Sequence, residues 1–376
     1  MAVSTRSDRR TKDTEVVAPR HGIAADIYHS HAPATHGLFS PPTDASENAA
    51  RTGATMIEAI NQALAEEMER DARVFILGED VGPRGGVFGA TKGLIERFGA
   101  ARVLDTPIAE SGFTGFGIGA AMLGMVPVIE IQFVDFIMSA LDQIFSEMAK
   151  MHYRTNGDVR LPMVVRTPIG GGVHGGFYHS QSPENLFVMP GLKVVMPSTP
   201  ADAKGLLKAA IRDPNPVIFL EHKRLYRSLR EAVPDDDTVI PIGVARVARP
   251  GTTLSVITYG AMVHEAVKAA DAAMGDGIDA EVLDLRSLQP YDRAAVLATV
   301  AKTHRALVVH EASKTNGFGG EVAAFIAEEA FTELDAPVRR LCAPDAPAMP
   351  YNHLLESAYL VDAAKIGAAM RELAAF

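Results

Sequence analysis

The sequence predicts an α/β protein of two doubly wound, mostly parallel-sheet domains, and three observations predict it. Short continuous apolar runs alternate with amphipathic helical segments from residue 51 onward. Such runs are typical of strands buried on both faces, because helices cover both sides of a parallel sheet. The alternation stops once, in the polar segment Pro234–Asp237. With 376 residues and 47% hydrophobic content, the chain can fill two cores.

The first series of elements begins with a helix whose start is marked in the sequence. Thr55 and Glu58 form a capping box, in which each side chain accepts from the other residue's backbone amide, and the helix is expected to end near Arg70. The next predicted elements are strand 74–77, a short strand at 103, a helix from 110, strand 126–133, helix 135–151, strand 163–166, strand 193–196, helix 201–211 and strand 217–220. The glycine-rich stretches 86–93 and 170–176 are expected to be loops.

The second series is smaller and follows a predicted linker. Its predicted elements are strand 254–258, helix 262–274, strand 281–285, helix 293–302, strand 307–309, helix 320–331, strand 338–341 and helix 363–373. We therefore expect one domain at residues 51–230, a linker at 231–245 and a second domain at 246–376. Residues 1–50 mix acids and bases without an apolar period, which predicts a disordered extension.

Composition excludes several classes of function. The net charge of −10 argues against a nucleic-acid partner, whose phosphates attract clustered lysine and arginine. No apolar run approaches the roughly 20 residues that span a bilayer, and the single cysteine, Cys342, cannot form an internal disulfide. A soluble bacterial cytoplasmic protein is expected. A mitochondrial matrix location is less expected, because presequences are usually poor in acids and residues 1–50 are not.

Three features of the sequence, an acid, an aromatic cluster and a histidine, predict a ligand-binding site. Glu110 begins a helix with four glycines in ten positions, each costing about 1 kcal/mol relative to alanine, so another backbone or a flat ligand is expected to approach it closely. An aromatic cluster, Ile131–Phe136, and a histidine in a polar loop, His179, follow downstream. Ligands of doubly wound sheets gather at the carboxyl ends of the strands, where all three features are expected.

The glycine patterns are weak evidence for other ligands. The run Gly115–Gly119 follows no clear strand and lacks an acid placed for a ribose. A phosphate-binding loop requires a glycine directly before its lysine, and the loop 86–93 lacks that glycine. Gly275–Gly277 could open a magnesium motif, but no asparagine follows at the required distance, so a helix end is favoured. A nucleotide-binding oxidoreductase remains a remote alternative.

From residue 52 onward the chain resembles the beta subunits of thiamine-diphosphate-dependent 2-oxoacid dehydrogenases, which are similar to the second half of transketolase. The segments that carry the resemblance are Asp105–Glu110 (DTPIAE), Ile131–Asp135 (IQFVD), Tyr178–Glu184 (YHSQSPE), Pro190–Val195 (PGLKVV), Ala203–Leu207 (AKGLL), Asn215–Pro216 and His310–Ala312. Seven matches in order are specific, whereas each alone would be weak. The segment Leu225–Arg227 and two of the others favour the branched-chain type, with pyruvate or acetoin dehydrogenase as alternatives.

The resemblance implies a transketolase-like pyrimidine-binding domain followed by a transketolase C-terminal domain. It implies that Glu110 shares a proton with the pyrimidine of the coenzyme and that the ring of Phe136 packs on it. His179 is expected to assist acyl transfer to a lipoyl group, since an imidazole with a pKa near 6.5 suits proton transfer; His174 is its rival. Phe113 and Gln132 are further expected cofactor contacts.

The resemblance also implies partners, because the chain shows no ligands for the diphosphate and its magnesium. An alpha subunit is expected to supply them in an α2β2 heterotetramer, without which the enzyme is inactive. A lipoyl-bearing acyltransferase is the expected acyl acceptor. A potassium ion on mostly backbone oxygens is implied at Leu161, Met163, Val164, Ala210, Asp213 and Asn215. For the small residues Gly117, Ala120, Ala121 and Gly124, a helix interface between chains and packing within the domain remain equal alternatives.

Overall fold

The computed structural model describes residues 53–376. The strands are β1 Ala54–Thr55, β2 Val74–Gly78, β3 Val103–Asp105, β4 Val126–Glu130, β5 Val164–Ile169, β6 Lys193–Val195, β7 Val217–His222, β8 Arg230–Glu231, β9 Arg246–Arg249, β10 Leu254–Thr258, β11 Ala280–Asp284, β12 Ser287–Gln289, β13 Ala306–Ser313 and β14 Arg339–Ala343. The α-helices are α1 Met56–Arg70, α2 Leu94–Phe98, α3 Glu110–Met122, α4 Met151–Arg154, α5 Pro200–Arg212, α6 Leu225–Ser228, α7 Met262–Ala273, α8 Arg293–Thr303, α9 Gly319–Glu329, α10 His353–Tyr359 and α11 Ala363–Ala374. The extension expected at residues 1–50 lies outside the described residues.

Two mostly parallel sheets organise the chain, which confirms the predicted fold class. The first has the order β12-β6-β7-β5-β4-β2-β3 and is parallel except for β12. The second has the order β14-β13-β10-β11-β9 and is parallel except for β9. The strands of the first sheet are in register across its centre, where Ile76 lies opposite both Val103 and Val128.

Helices cover both faces of the first sheet, as its apolar strands require. Helices α1 and α5 pack together on one face, and the predicted capping box of Thr55 and Glu58 starts α1. Helix α3 and the segment after β4 contribute to the core on the other face. Within residues 53–376, no helix is long and apolar enough to cross a membrane.

The helix predicted at 135–151 is wrong as a single element. A 3₁₀-helix spans Val134–Ala140 and a π-helix spans Gln143–Met148, so only residues 141–142 and α4 are α-helical. Ile137, Ala140, Ile144 and Met148 are buried at spacings of three and four, which explains the helical pattern in the sequence. The winding nevertheless changes along the segment, a feature often found at functional sites.

The linker and β12 also depart from expectation. The predicted linker is tied to α5, since the Lys204 ammonium donates to the Pro234 carbonyl at 2.8 Å and Lys208 pairs with Asp237 at 2.9 Å. Strand β12 comes from the second half of the chain but pairs with β6 at the edge of the first sheet. The two halves therefore share a sheet, and the domain boundaries at 230 and 246 stay a prediction.

Candidate active site

Glu110 lies at the carboxyl edge of the first sheet, on the first turn of α3. Its carboxylate is half-buried and accepts a hydrogen bond from the Ser139 hydroxyl at 3.0 Å. Ala109, which precedes α3, makes no side-chain cap. The free amides of the first helical turn therefore face the same region as the carboxylate. This end of α3 can present one anionic acceptor and several backbone donors to a ligand.

Phe136 and His179 lie beside this helix end and contact each other. Phe136 belongs to the 3₁₀-helix that also carries Ser139, and its ring meets the His179 ring edge-to-face with centroids 5.4 Å apart. Phe133 meets the His179 ring at 4.6 Å and the Phe136 ring at 5.8 Å. One short segment, 133–139, thus contacts both Glu110 and His179. The carboxylate, the aromatic platform and the imidazole predicted from the sequence are assembled in one place.

A second acidic group borders Glu110. Glu79 follows β2, and burial together with the neighbouring charges of Asp80 and Glu110 raises its pKa. The Gln132 side-chain amide donates to the Glu79 carbonyl at 3.3 Å and lies 3.4 Å from an Asp80 carboxylate oxygen. Gln132 thereby joins the loops after β2 and β4. Its direct contact with a cofactor stays a prediction.

Two charged residues near His179, the half-buried Asp135 and the buried Lys223, were not predicted from the sequence as site residues. Burial raises the pKa of Asp135, and the charge of Lys223 opposes that rise. Burial also lowers the pKa of Lys223 to about 8, although Asp135 and Glu311 favour its charged form. The Lys223 ammonium lies 5.6 Å from the centre of the Phe133 ring. The position of Lys223 directly after the apolar strand β7 was the available signal, because such positions open onto the ligand edge of the sheet.

One side of α3 packs closely on the sheet through a glycine, and the other side is exposed. A Cβ at Gly117 would lie 2.7 Å from the Ile129 side chain, so this glycine lets α3 pack closely on β4. Phe113 is 6% exposed and belongs to the same core, behind the site. The other side of α3 exposes Phe116 and Met122, and the residues flanking the helix, Ile108 at 74% and Leu123 at 88%, are also exposed. For Gly117, packing within the domain is therefore the explanation.

His174, the rival histidine, points elsewhere. It adopts a left-handed backbone conformation with φ of +57°, and its Nδ1 faces the carboxylate of Glu356, a residue of α10. Its ring contacts His353 edge-to-face rather than the phenylalanines around His179. Of the two histidines, His179 is the one against the aromatic cluster.

The six residues expected to hold potassium lie at the other end of the first sheet. Several of their polar groups already have partners: Met163 O accepts from Val217 N at 3.0 Å, Ala210 O accepts from Asp213 N at 3.3 Å, and Asp213 is paired with Lys193. Asn215 N donates to the Asp213 side chain at 2.9 Å. The remaining two of the set, Leu161 and Val164, are buried. No cluster of three or more His, Cys, Asp or Glu suited to a metal occurs in the described part of the chain, and a carbonyl-bound potassium stays a prediction.

Glu184, at the end of the loop that carries His179, predicts a pH dependence of stability. Burial raises its pKa from 4.5 to about 7, while the Tyr259 hydroxyl, which donates to its carboxylate at 2.7 Å, opposes the rise. The folded state therefore holds a proton that the unfolded state has lost between pH 4.5 and 7, and its stabilising effect disappears as the pH rises through 7. In Glu184→Gln this loss is absent. We expect the variant to match the parent at pH 4.5 and to be more stable by about 1–3 kcal/mol at pH 8.

Thermal or denaturant unfolding of both proteins across this pH range measures the difference. The Gln side chain can still accept from Tyr259, so the comparison isolates the titration. An equal gap between the two proteins at pH 4.5 and pH 8 would contradict the raised pKa.

Two family models match the chain. One is described as transketolase, pyrimidine binding domain, and covers residues 52–228; the other is described as transketolase, C-terminal domain, and covers residues 243–366. A solved structure titled split gene transketolase, inactive beta4 tetramer, matches with a TM-score of 0.69 at 22% identity, covering 86% of this chain and 99% of that one. That likeness concerns the fold.

Curated relatives are similar over most of their length. A 2-oxoisovalerate dehydrogenase subunit beta of Bacillus subtilis (strain 168) is 57% identical over 321 residues, which cover 85% of this chain and 98% of the relative. A pyruvate dehydrogenase E1 component subunit beta of the same organism is 52% identical, covering 77% and 90%. A 2-oxoisovalerate dehydrogenase subunit beta of Pseudomonas aeruginosa is 45% identical, covering 86% and 95%.

Proposed function

We infer the function of this chain from its family, since it belongs to the transketolase-like beta subunits of the 2-oxoacid dehydrogenases. We propose that it is the beta subunit of a branched-chain 2-oxoacid dehydrogenase. Together with an alpha subunit it would decarboxylate 2-oxo acids and pass the acyl group to a lipoyl group. The observation that carries this proposal is the convergence of Glu110, Phe136 and His179 at one edge of the first sheet.

The residues at this edge fit the pyrimidine end of thiamine diphosphate. An aminopyrimidine is a flat ring with polar nitrogens, which suits a carboxylate beside an aromatic surface. Glu110 and Phe136 would hold the ring, with Phe113 and Gln132 supporting the site from behind and from the side. When bound, the coenzyme supplies the carbon that attacks the 2-oxo group. Glu110 would share a proton with the ring nitrogen, which its half-buried position and its hydrogen bond from Ser139 allow.

The diphosphate end would be held by a second chain. Within residues 53–376 no group of three or more His, Cys, Asp or Glu could hold a metal ion, and the family resemblance assigns the magnesium ligands to an alpha subunit. Exposed apolar residues on α3 and just beyond its two ends, Ile108, Phe116 and Leu123, give an alpha subunit a surface to cover. We propose, as the family resemblance implies, an α2β2 assembly with magnesium on the alpha subunit and a lipoyl-bearing acyltransferase as the acceptor.

The branched-chain preference is favoured by the 57% and 45% identity to two 2-oxoisovalerate dehydrogenase beta subunits. The 52% identity to a pyruvate dehydrogenase beta subunit supports pyruvate as the second candidate. Acetoin stays an alternative from the sequence alone. Family membership disfavours the nucleotide-binding oxidoreductase.

Co-expression with an alpha subunit of the same family tests the proposal. We expect decarboxylation and lipoyl-domain acylation only when both chains are present, and a kcat/KM for 2-oxoisovalerate at least about tenfold above that for pyruvate, because a fitted apolar pocket gains 10-fold or more from additional methyl groups. Preference for pyruvate would establish the second candidate. Activity of the beta chain alone would contradict the shared site.

A further inference from the structure

Residues 170–182, which connect β5 to the short helix Glu184–Phe187 and carry His179, form what we term the histidine loop. We propose that Glu311 and Glu356, two buried carboxylates from the second half of the chain, are positioning residues that hold this loop and thereby place His179. The proposal rests on the role proposed above for His179 in acyl transfer. Neither acid takes a direct part in the proposed chemistry.

Glu311, on β13, holds the two ends of the loop together. One carboxylate oxygen accepts from the Gly171 amide at 2.7 Å and from the Ser182 hydroxyl at 2.9 Å, and the other lies 3.1 Å from Nε2 of His222. The side chain is 5% exposed. Burial raises the pKa of Glu311, but His222, Gly171 and Ser182 outweigh burial and lower it to about 2. The acid is therefore an anion that depends on the loop for its partners, and the loop depends on it.

Glu356, on α10, holds the first part of the histidine loop, residues 172–174. One oxygen accepts from the Gly172 amide at 2.9 Å and from the His174 amide at 3.3 Å, and the other faces the His174 ring. Glu356 is 1% exposed. Its partners are more than 180 residues away in the chain. Charge-assisted hydrogen bonds of this kind to backbone amides are about twice as strong as neutral ones.

Glycines let the second half of the chain approach the loop closely. A Cβ at Gly171 would lie 2.6 Å from the Met349 side chain, and a Cβ at Gly176 would lie 2.6 Å from the Tyr351 ring. A side chain at Gly176 would therefore clash with the Tyr351 ring, and one at Gly171 would displace the end of the Met349 side chain. These contacts press the loop against the same region that supplies Glu356.

Residues 172–174, which Glu356 holds, lie a few positions before His179 in the same loop. Gly175 packs closely against His179 and Ser180, since a Cβ at this position would lie 2.8 Å from Cβ of His179 and 2.8 Å from Oγ of Ser180. On its other side the His179 ring rests against Phe133 and Phe136. Displacing residues 172–174 would therefore move the imidazole relative to its aromatic support. A displacement of about 1 Å can cost a hundredfold in rate when a catalytic group is misplaced.

Substitutions at Glu356 separate the effect of its side-chain length from the effect of its charge. Gln keeps the oxygen that accepts from Gly172 and His174, and its amide can donate to the His174 ring, but the charge is lost. Asp keeps the charge but is one methylene too short to reach the two backbone amides. If the residue positions the loop, lipoyl-domain acylation should follow the order Glu, then Gln, then Asp and Ala. We expect Gln within about threefold of the parent and Ala reduced about tenfold to a hundredfold.

The assays use the complex of the beta chain with its alpha subunit. Decarboxylation is followed with ferricyanide as an artificial oxidant, which bypasses acyl transfer to the lipoyl domain, and should change by less than about threefold in every variant. Amide hydrogen exchange of residues 171–179 should accelerate in the Asp and Ala variants and stay at the parent rate in the Gln variant. Glu372→Ala, on the exposed side of α11, is the matched control and should behave as the parent.

Distinct results overturn the proposal. Full acylation by Glu356→Ala would do so, as would an Asp variant that equals the parent while the Gln variant fails, because charge rather than reach would then matter. If Glu356→Ala does not assemble, the Gln and Asp variants still decide between these outcomes. A parent complex that fails to decarboxylate any 2-oxo acid would instead overturn the proposed function, and the exchange data on the loop would still report on Glu356.

Discussion

Glu110→Gln should abolish turnover while the complex still assembles. The substitution keeps the shape of the side chain and an oxygen that can accept from the Ser139 hydroxyl, so the local structure should survive. It removes the ability to share a proton with a ring nitrogen. Proton transfer by a placed side chain contributes about 10² to 10⁴ in rate, and loss of that contribution brings turnover near background. Steady-state decarboxylation with an alpha subunit measures the effect.

The control for this prediction is an acid outside the site. Glu96 is exposed on α2, away from the carboxyl edge of the sheet, and Glu96→Gln should retain parent activity. Size-exclusion chromatography verifies assembly of both variants. Retained turnover in Glu110→Gln would remove Glu110 from the site, however well the aromatic residues are placed.

His179→Ala should lower acyl transfer to the lipoyl domain by at least about a hundredfold and affect decarboxylation much less. Acyl transfer opens the lipoyl disulfide: one sulfur bonds to the acyl carbon, and the other accepts the electron pair of the broken S–S bond and a proton. The bond between the acyl carbon and its carrier then breaks, and its electron pair stays on the carrier. A protonated imidazole against Phe133 and Phe136 can give that proton. Single-turnover acylation of a lipoyl domain, compared with ferricyanide-coupled decarboxylation, separates the two steps.

Two further variants sharpen this test. His304→Asn alters a histidine on the far end of α8 whose left-handed conformation asparagine tolerates, and it should behave as the parent. His174→Ala removes a side chain that faces Glu356, and its effect should be smaller than that of His179→Ala. If His179→Ala slows only decarboxylation and leaves acyl transfer intact, the role is wrong.

The two halves of the chain are more interdependent at the site than a linear domain order suggests. The imidazole comes from a loop of the first half, whereas the carboxylates that bind this loop come from β13 and α10 in the second half. Strand β12 also crosses to the first sheet. A change in the second half can therefore reach the histidine without touching the coenzyme.

Most of the regular elements could be predicted because burial leaves a local record. The strands β2, β4, β5 and β7 read as continuous apolar runs, since both faces of the sheet are covered. The capping box of α1 and the helix beginning at Glu110 were predicted within a residue. The segment after β4 was predicted incorrectly, because its buried residues keep a helical spacing while its winding passes from 3₁₀ to π.

The sequence by itself determined the α/β class, the family and the three residues that meet at the site, because strand order in a doubly wound sheet brings the strand ends to one edge. Only the tertiary structure decided what surrounds those residues. The bonds from Gly171 to Glu311 and from Gly172 to Glu356 join residues 140 and 184 positions apart. Local periodicity carries no record of such pairs, since an isolated acid on a strand or helix has the same pattern whether it faces water or a distant loop.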